Sequence, residues 1–134
     1  MLTPACADNG AGSTATFQNR YLINDTWWTG PTSPIVFYTG NEGDIELFAQ
    51  NTGHQWQFAE QVGALVVFCE HRYYGQSMPF GDASYNTSNL AYLSSEQALM
   101  DFVDLIASLK ANYSAPNAPV IAWGGSYGGM LTAW

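Results

Sequence analysis

A serine lies in the glycine-rich segment 124–128 (Gly-Gly-Ser-Tyr-Gly), close to the end of the 134-residue sequence. This G-x-S-x-G pattern follows the apolar segment 119–123 (Pro-Val-Ile-Ala-Trp), which is typical of a strand. A strand that leads directly into G-x-S-x-G is typical of a nucleophile elbow, where the serine stands on a sharp, strained turn. The pattern therefore predicts Ser126 as a catalytic nucleophile and the backbone N–H of Tyr127 as an oxyanion donor.

A second glycine-rich segment, Gly40-Asn-Glu-Gly43, follows a continuous apolar run at 35–38. In an elbow fold the loop in this place supplies the second oxyanion donor, and the sequence favours Asn41 or a direct neighbour. Glu42 is a candidate to bind a substrate's amino group, with capping of the next helix as the open alternative. Asp44 is expected to cap that helix.

The segment Glu70-His71-Arg72 follows the apolar run 64–69 and places a histidine beside a carboxylate. His71 precedes the nucleophile, whereas the elbow fold takes its catalytic histidine from after the last strand, so a structural role is expected. Glu70 and Arg72 are expected to form a partly buried ion-pair and hydrogen-bond network that fixes the loop below the active site. His54 is expected to be exposed or packed rather than catalytic.

The elements that must position these groups alternate between strand and helix. Apolar patterns predict strands at 17–23, 26–28, 35–38, 64–69 and 119–123, and a helix at 48–62. A second helix follows a capping box of Ser94 and Gln97 and ends near Lys110. Continuous apolar strands that alternate with helices predict an α/β fold with a mostly parallel sheet and flanking helices. Residues 1–16 are expected to be a disordered or non-native segment.

Composition narrows the classes of function. Eleven acidic residues against three basic ones give a formal net charge of −8, which argues against a nucleic-acid partner. Only 10% of residues are charged, against about 25% in typical domains, which fits a piece of a larger protein. No segment is long and apolar enough to span a membrane. Cys6 and Cys69 have no metal-binding spacing, so neither a metal nor a cofactor is predicted, and a bridge between them is left open.

Three N-x-[ST] sequons favour the secretory pathway, although no signal peptide opens the sequence. Their asparagines are Asn24, Asn86 and Asn112, each at an expected turn or element end.

Five segments together resemble the serine exopeptidase family that includes lysosomal Pro-X carboxypeptidase and dipeptidyl peptidase II. They cover about residues 17–134 and lie at 17–22, 37–45, 68–81, 95–99 and 124–131. The resemblance implies an α/β-hydrolase core with a helical cap domain inserted later in the chain. It implies cleavage next to proline or a small residue at one end of a peptide, in lysosomes or outside the cell. Ser126 matches the family nucleophile, and Tyr127 an oxyanion donor.

The sequence departs from the family at Cys69, where a small residue is expected, and at Gln76, where a charge is expected. The cap, the aspartate and the histidine are absent, so residues 17–134 are expected to be the N-terminal part of an α/β-hydrolase domain, truncated after the elbow. The expected function is that of a Pro-X carboxypeptidase-like serine exopeptidase with a peptide substrate. The isolated fragment is expected to be inactive.

The alternatives are an esterase or lipase on the same core, or a catalytically dead truncated product. The choice between carboxypeptidase and aminodipeptidase action, and a homodimer of the full-length enzyme, are left open.

Overall fold

The computed structural model describes residues 5–7 and 16–134. The described strands are β1 Ala5–Ala7, β2 Thr16–Gln18, β3 Tyr21–Asn24, β4 Ile35–Thr39, β5 Leu65–Cys69 and β6 Val120–Trp123. The described α-helices are α1 Ile45–Asn51, α2 His54–Val62, α3 Ser95–Asn112 and α4 Ser126–Ala133. Two 3₁₀ turns, Gly81–Ala83 and Leu90–Tyr92, lie between β5 and α3.

The larger sheet has the strand order β3-β5-β4-β6. β4 runs parallel to both β5 and β6, and β3 runs antiparallel to β5. In this register Thr39 pairs with Cys69 and Tyr38 pairs with Trp123, so the three parallel strands end level with one another. The predicted mostly parallel sheet is therefore confirmed, and the carboxyl ends of its strands share one edge.

Helices cover both faces of this sheet because its central strands are apolar on both sides. Ile35 and Phe37 of β4 pack with residues of α3 and with Leu131 of α4. Val36 and Tyr38 face the other way, into a cluster built with α1, α2 and the even-numbered residues of β5. The result is a sheet between two layers of helices, as the alternation of apolar strands and helices predicts.

The long segment between β5 and α3 is held by two separate buried networks, not by a pairing of Glu70 with Arg72. Arg72 makes two 2.7 Å hydrogen bonds to the Asp101 carboxylate, from Nε and Nη2. Glu70 accepts hydrogen bonds from the Ile45 N–H, the Gln76 N–H and the Ser77 hydroxyl, and its nearest cation is Arg20 at 3.9 Å. The expected network exists, but each charge has a different partner from the one predicted.

Arg72 also reaches residues further along this segment. Its Nη1 donates to the Tyr92 carbonyl at 2.9 Å and to the Gln97 side chain. The Gln97 N–H donates to the Ser94 hydroxyl at 3.3 Å, which confirms the predicted cap.

Three predicted element boundaries differ from the structure. Residues 26–28 form a turn, with the Trp28 N–H bonded to the Asp25 carbonyl at 3.0 Å, and not a strand. The predicted helix 48–62 is two helices, because Thr52 is extended (ψ 141°) and breaks the path between α1 and α2. The predicted strand 17–23 is interrupted at 19–20, where the Arg20 N–H donates to the Ser77 hydroxyl at 2.9 Å.

Part of the segment 1–16 is described, and it is in strand conformation there. β1 pairs antiparallel with β2 in a separate two-stranded sheet. The rest of that predicted disordered segment lies outside the described residues. None of the helices in the described part of the chain combines the length and the apolar character needed to cross a bilayer.

Candidate active site

Three loops meet at the carboxyl edge of the sheet because β4, β5 and β6 end at the same level. They are residues 40–44 after β4, the segment that begins at Glu70 after β5, and residues 124–125 between β6 and α4. All four residues predicted for catalysis or substrate binding lie on these loops or on the first turn of α4: Asn41, Glu42, Ser126 and Tyr127. Crevices at this edge of open α/β sheets are the usual place for ligands.

Ser126 occupies a strained turn between β6 and α4. Its φ is +53°, a left-handed conformation that L-residues with a side chain rarely adopt. The flanking glycines permit it: a Cβ on Gly124 would lie 2.3 Å from the Gly128 carbonyl oxygen, and one on Gly128 would lie 2.4 Å from the Thr39 carbonyl oxygen. Ser126 is exposed, so its hydroxyl can meet a ligand at the sheet edge.

The two groups predicted as oxyanion donors lie close to the turn that holds Ser126. The Tyr127 N–H lies in the first turn of α4, where helix geometry leaves N–H groups without a partner inside the helix. Asn41 is brought against the same turn, since a Cβ on Gly128 would lie 3.3 Å from the Asn41 Cβ. The Asn41 Oδ1 is buried without a hydrogen-bond partner in the described structure.

Glu42 stands at the apex of a tight turn beside this pair. The Gly43 N–H donates to the Asn41 carbonyl at 2.8 Å, which turns the backbone around Glu42 and leaves its side chain exposed. Burial raises the pKa of the Tyr127 phenol, and the negative charge of Glu42 raises it further. The same two causes raise the pKa of Tyr74. The charge of the Glu42 carboxylate therefore reaches the Tyr127 ring.

His71 is buried beneath the site and is set up as a neutral ring. Its Nδ1 lies 2.7 Å from the Arg72 carbonyl, so Nδ1–H donates and Nε2 is left as a buried acceptor without a partner in the described structure. Burial lowers the pKa of His71 from its ordinary value of 6.5, partly offset by this hydrogen bond and lowered again by the Arg72 charge. Its ring packs 5.5 Å from that of Tyr127.

Neither described histidine hydrogen-bonds Ser126. His71 contacts the Tyr74 and Tyr127 rings, and His54 is exposed on α2 against Phe58 and Trp123. These contacts agree with the structural roles expected for both histidines.

Residues 9–134 match the family described as serine carboxypeptidase S28. The chain belongs to the S28 family. It is 55% identical over 127 residues to lysosomal Pro-X carboxypeptidase of Homo sapiens, which covers 93% of this chain and 26% of that protein. It is 52% identical to prolyl carboxy peptidase like protein 5 of Caenorhabditis elegans (88% of this chain, 24% of that protein). Thymus-specific serine protease of Homo sapiens is 39% identical (88% and 23%).

The chain spans about a quarter of the length of these S28 relatives. Family membership confirms the resemblance drawn from the five sequence segments, and it confirms that the chain belongs to a family of serine peptidases.

Sequence reasoning found the elbow and the loop at 40–43 but missed residues that hold them. Asp44 caps α1 as predicted, accepting from the Glu46 N–H at 2.8 Å. The buried hydroxyl of Thr39 was missed, although a threonine that ends an otherwise apolar strand is a signal for a buried polar contact. Asp101 was also missed, and its signal is a carboxylate among the apolar positions of α3.

The three sequon asparagines lie apart from one another. Asn86 is exposed in the segment between β5 and α3. Asn112 is exposed at the end of α3, and Asn24 ends the antiparallel strand β3 opposite Val66, so both lie away from the edge that holds Ser126.

We predict that His71 makes the stability of the folded chain pH-dependent. The lowered pKa means that the unfolded chain binds more protons at this site, so the free energy of unfolding falls as the pH drops from about 7 to about 5. His71→Phe keeps an aromatic ring against Tyr74 and Tyr127 and cannot be protonated. The decrease in its free energy of unfolding over this pH range is therefore expected to be smaller than in the wild type. Denaturant unfolding at several pH values measures this difference.

His54→Phe is the matched control, because His54 is exposed. The free energy of unfolding of His54→Phe is expected to change with pH as that of the wild type does. If the free energies of unfolding of His71→Phe and the wild type changed equally with pH, that result would contradict a buried neutral His71.

Proposed function

We propose that this chain carries the nucleophile and oxyanion-binding part of a serine exopeptidase that cleaves peptides next to proline or a small residue, as a Pro-X carboxypeptidase does. The observation that carries the proposal is the left-handed Ser126 between β6 and α4, packed against the loop of Asn41. Strain of this kind persists where the surrounding structure fixes it, and it clusters at functional sites. The names of the S28 relatives support a peptidase over an esterase or lipase.

In the proposed mechanism the Ser126 hydroxyl attacks the peptide carbonyl carbon and its proton passes to a histidine, which an aspartate orients. The histidine then gives this proton to the amine that leaves as the C–N bond breaks, and water hydrolyses the resulting ester of Ser126. The resemblance assigns both partners to positions after the serine. The Tyr127 N–H and an N–H of the 40–43 loop, with Asn41 favoured, stabilise the oxyanion. Removal of one such donor typically costs about 3 kcal/mol of transition-state stabilisation.

The proposed setting follows what the family resemblance implies. Residues 17–134 form the N-terminal part of an α/β-hydrolase domain, and the enzyme's helical cap lies later in its sequence. The name of the human relative supports a lysosomal location and gives no support to an extracellular one. A homodimer of the full-length enzyme stays a prediction.

Passage through the secretory pathway would expose the three sequons to N-glycosylation, which we propose at Asn24, Asn86 and Asn112. Asn86 and Asn112 are exposed. The Asn24 Oδ1 accepts from the Thr26 N–H at 3.0 Å, which leaves Nδ2, the atom that carries a glycan, outside that bond.

A chimera tests the role of Ser126. In it this chain replaces the 127-residue stretch that it matches in human lysosomal Pro-X carboxypeptidase. We predict that the chimera releases the C-terminal residue from a peptide ending in Pro-Phe. Ser126→Ala is expected to lower kcat at least about ten-thousand-fold, because the nucleophile is lost.

Ser95→Ala, at the first turn of α3, is the control for the chimera and is expected to keep full activity. A Ser126→Ala chimera that turns over at the wild-type rate would refute Ser126 as the nucleophile.

Glu42 supplies a charge preference to the proposed site. The three basic residues of the chain are engaged or remote: Arg20 pairs with Asp44, Arg72 pairs with Asp101, and Lys110 lies in the last turn of α3, toward the opposite sheet edge. Glu42 has no ion-pair partner in the described structure. An uncompensated carboxylate beside Tyr127 favours a positive group on the part of the substrate that binds there.

We predict that Glu42→Gln in the chimera lowers kcat/KM about two- to fivefold for a peptide with a free α-amino group on the acyl side, at low salt. The N-acetylated form of the same peptide is expected to be unaffected, because it has no positive charge. Glu60→Gln, an exposed carboxylate on α2, is the control. Equal effects of Glu42→Gln on the two peptides would contradict an electrostatic role.

A further inference from the structure

Thr39 places a buried hydroxyl between β6 and α4, the strand and the helix on either side of the elbow. It is the last residue of β4 and is 4% exposed. Its Oγ1 lies 3.0 Å from the carbonyl oxygen of Trp123, the last residue of β6, and 2.7 Å from the carbonyl oxygen of Gly128 in α4. It also lies 2.6 Å from the Thr132 hydroxyl, one helical turn further on.

The hydrogen-bonding capacity of one hydroxyl fits these three contacts. Thr39 has one proton, which it donates to the Gly128 carbonyl and shares with the more distant Trp123 carbonyl. With that proton used on the carbonyls, the Thr132 hydroxyl is the donor in the contact with Thr39, and its Oγ1 also lies 3.0 Å from the Gly128 carbonyl oxygen. One side chain thus joins the strand that enters the turn to the helix that leaves it.

The backbone of the turn needs such an attachment. The left-handed Ser126 is unfavourable by itself and persists only where its surroundings fix it. Thr39 bonds on both sides of Ser126, three residues before it and two after it. The neighbouring Tyr38 hydroxyl lies 3.7 Å from where a Cβ of Gly125 would be, so the end of β4 contacts the turn along its length.

We propose that Thr39 is a positioning residue for Ser126: its hydroxyl clamps the nucleophile elbow through the Trp123 and Gly128 carbonyls. The reactivity part of this inference rests on the proposed function, whereas the clamp itself does not. A hydroxyl is required, and the branched shape of the side chain does not replace it. Valine and serine therefore separate the two properties, since valine keeps the shape and serine keeps the hydroxyl.

Hydrogen–deuterium exchange of the 134-residue chain tests the clamp without any need for catalysis. In Thr39→Val, the backbone amides from Gly129 to Thr132, the first of which bonds the Gly125 carbonyl of the elbow, are expected to exchange about tenfold faster than in the wild type, while β5 amides stay unchanged. Thr39→Ser is expected to match the wild type at the elbow. Unchanged exchange at the elbow in Thr39→Val, or the same increase in Thr39→Ser, would overturn the proposal.

Thr39→Ala decides the matter if Thr39→Val does not fold. It removes the clamping hydroxyl without placing a methyl group against the Trp123 and Gly128 carbonyl oxygens. Faster exchange confined to residues 129–132 is expected, and no change there would overturn the clamp.

Kinetics of the chimera test the consequence for Ser126. Thr39→Val is expected to lower kcat about tenfold with KM unchanged. Thr39→Ser, which keeps the hydroxyl, is expected to have the kcat of the wild type. A change in KM alone would overturn the positioning role. A wild-type chimera without activity would refute the proposed function, and the exchange experiment would still decide whether the clamp exists.

Discussion

The left-handed backbone of Ser126 is the constraint on which this end of the molecule depends. The turn that presents Ser126 at the sheet edge leaves no room for side chains at Gly124 and Gly128. The turn also needs hydrogen-bond partners that fix the strand before it and the helix after it, and the end of β4 supplies them. The parallel register of β4 with β5 and β6 brings those partners and the 40–43 loop to the same level.

Buried charge organises the loops around this edge. Arg72 and Asp101 are each 1% exposed and satisfy one another with two hydrogen bonds, and Glu70 is satisfied by three donors from separate segments. Removal of one partner of such a network typically costs about 3 to 5 kcal/mol, because it leaves a buried charge uncompensated. With the basic residues engaged in this way or remote, Glu42 is an exposed carboxylate that has no ion-pair partner in the described part of the chain.

The sequence predicts the elbow and the layered α/β fold because both rest on local patterns. Glycine spacing around Ser126 reflects close packing of the turn, and continuous apolar strands reflect burial on two faces. The contacts that fix the site lie far apart in the sequence: Thr39 and Trp123 are 84 residues apart, and Arg72 and Asp101 are 29 apart. The break between α1 and α2 was missed because apolar residues keep helical spacing across Thr52, while the backbone there is extended.

The crystal structure of the chimera after reaction with a fluorophosphonate tests the central claim most directly, since the phosphonyl oxygen mimics the oxyanion. The account predicts phosphorus bonded to the Ser126 Oγ, with that oxygen about 2.7–3.1 Å from the Tyr127 nitrogen and from a backbone nitrogen of the 40–43 loop. Attachment at another residue, or a phosphonyl oxygen turned away from both nitrogens, would contradict it.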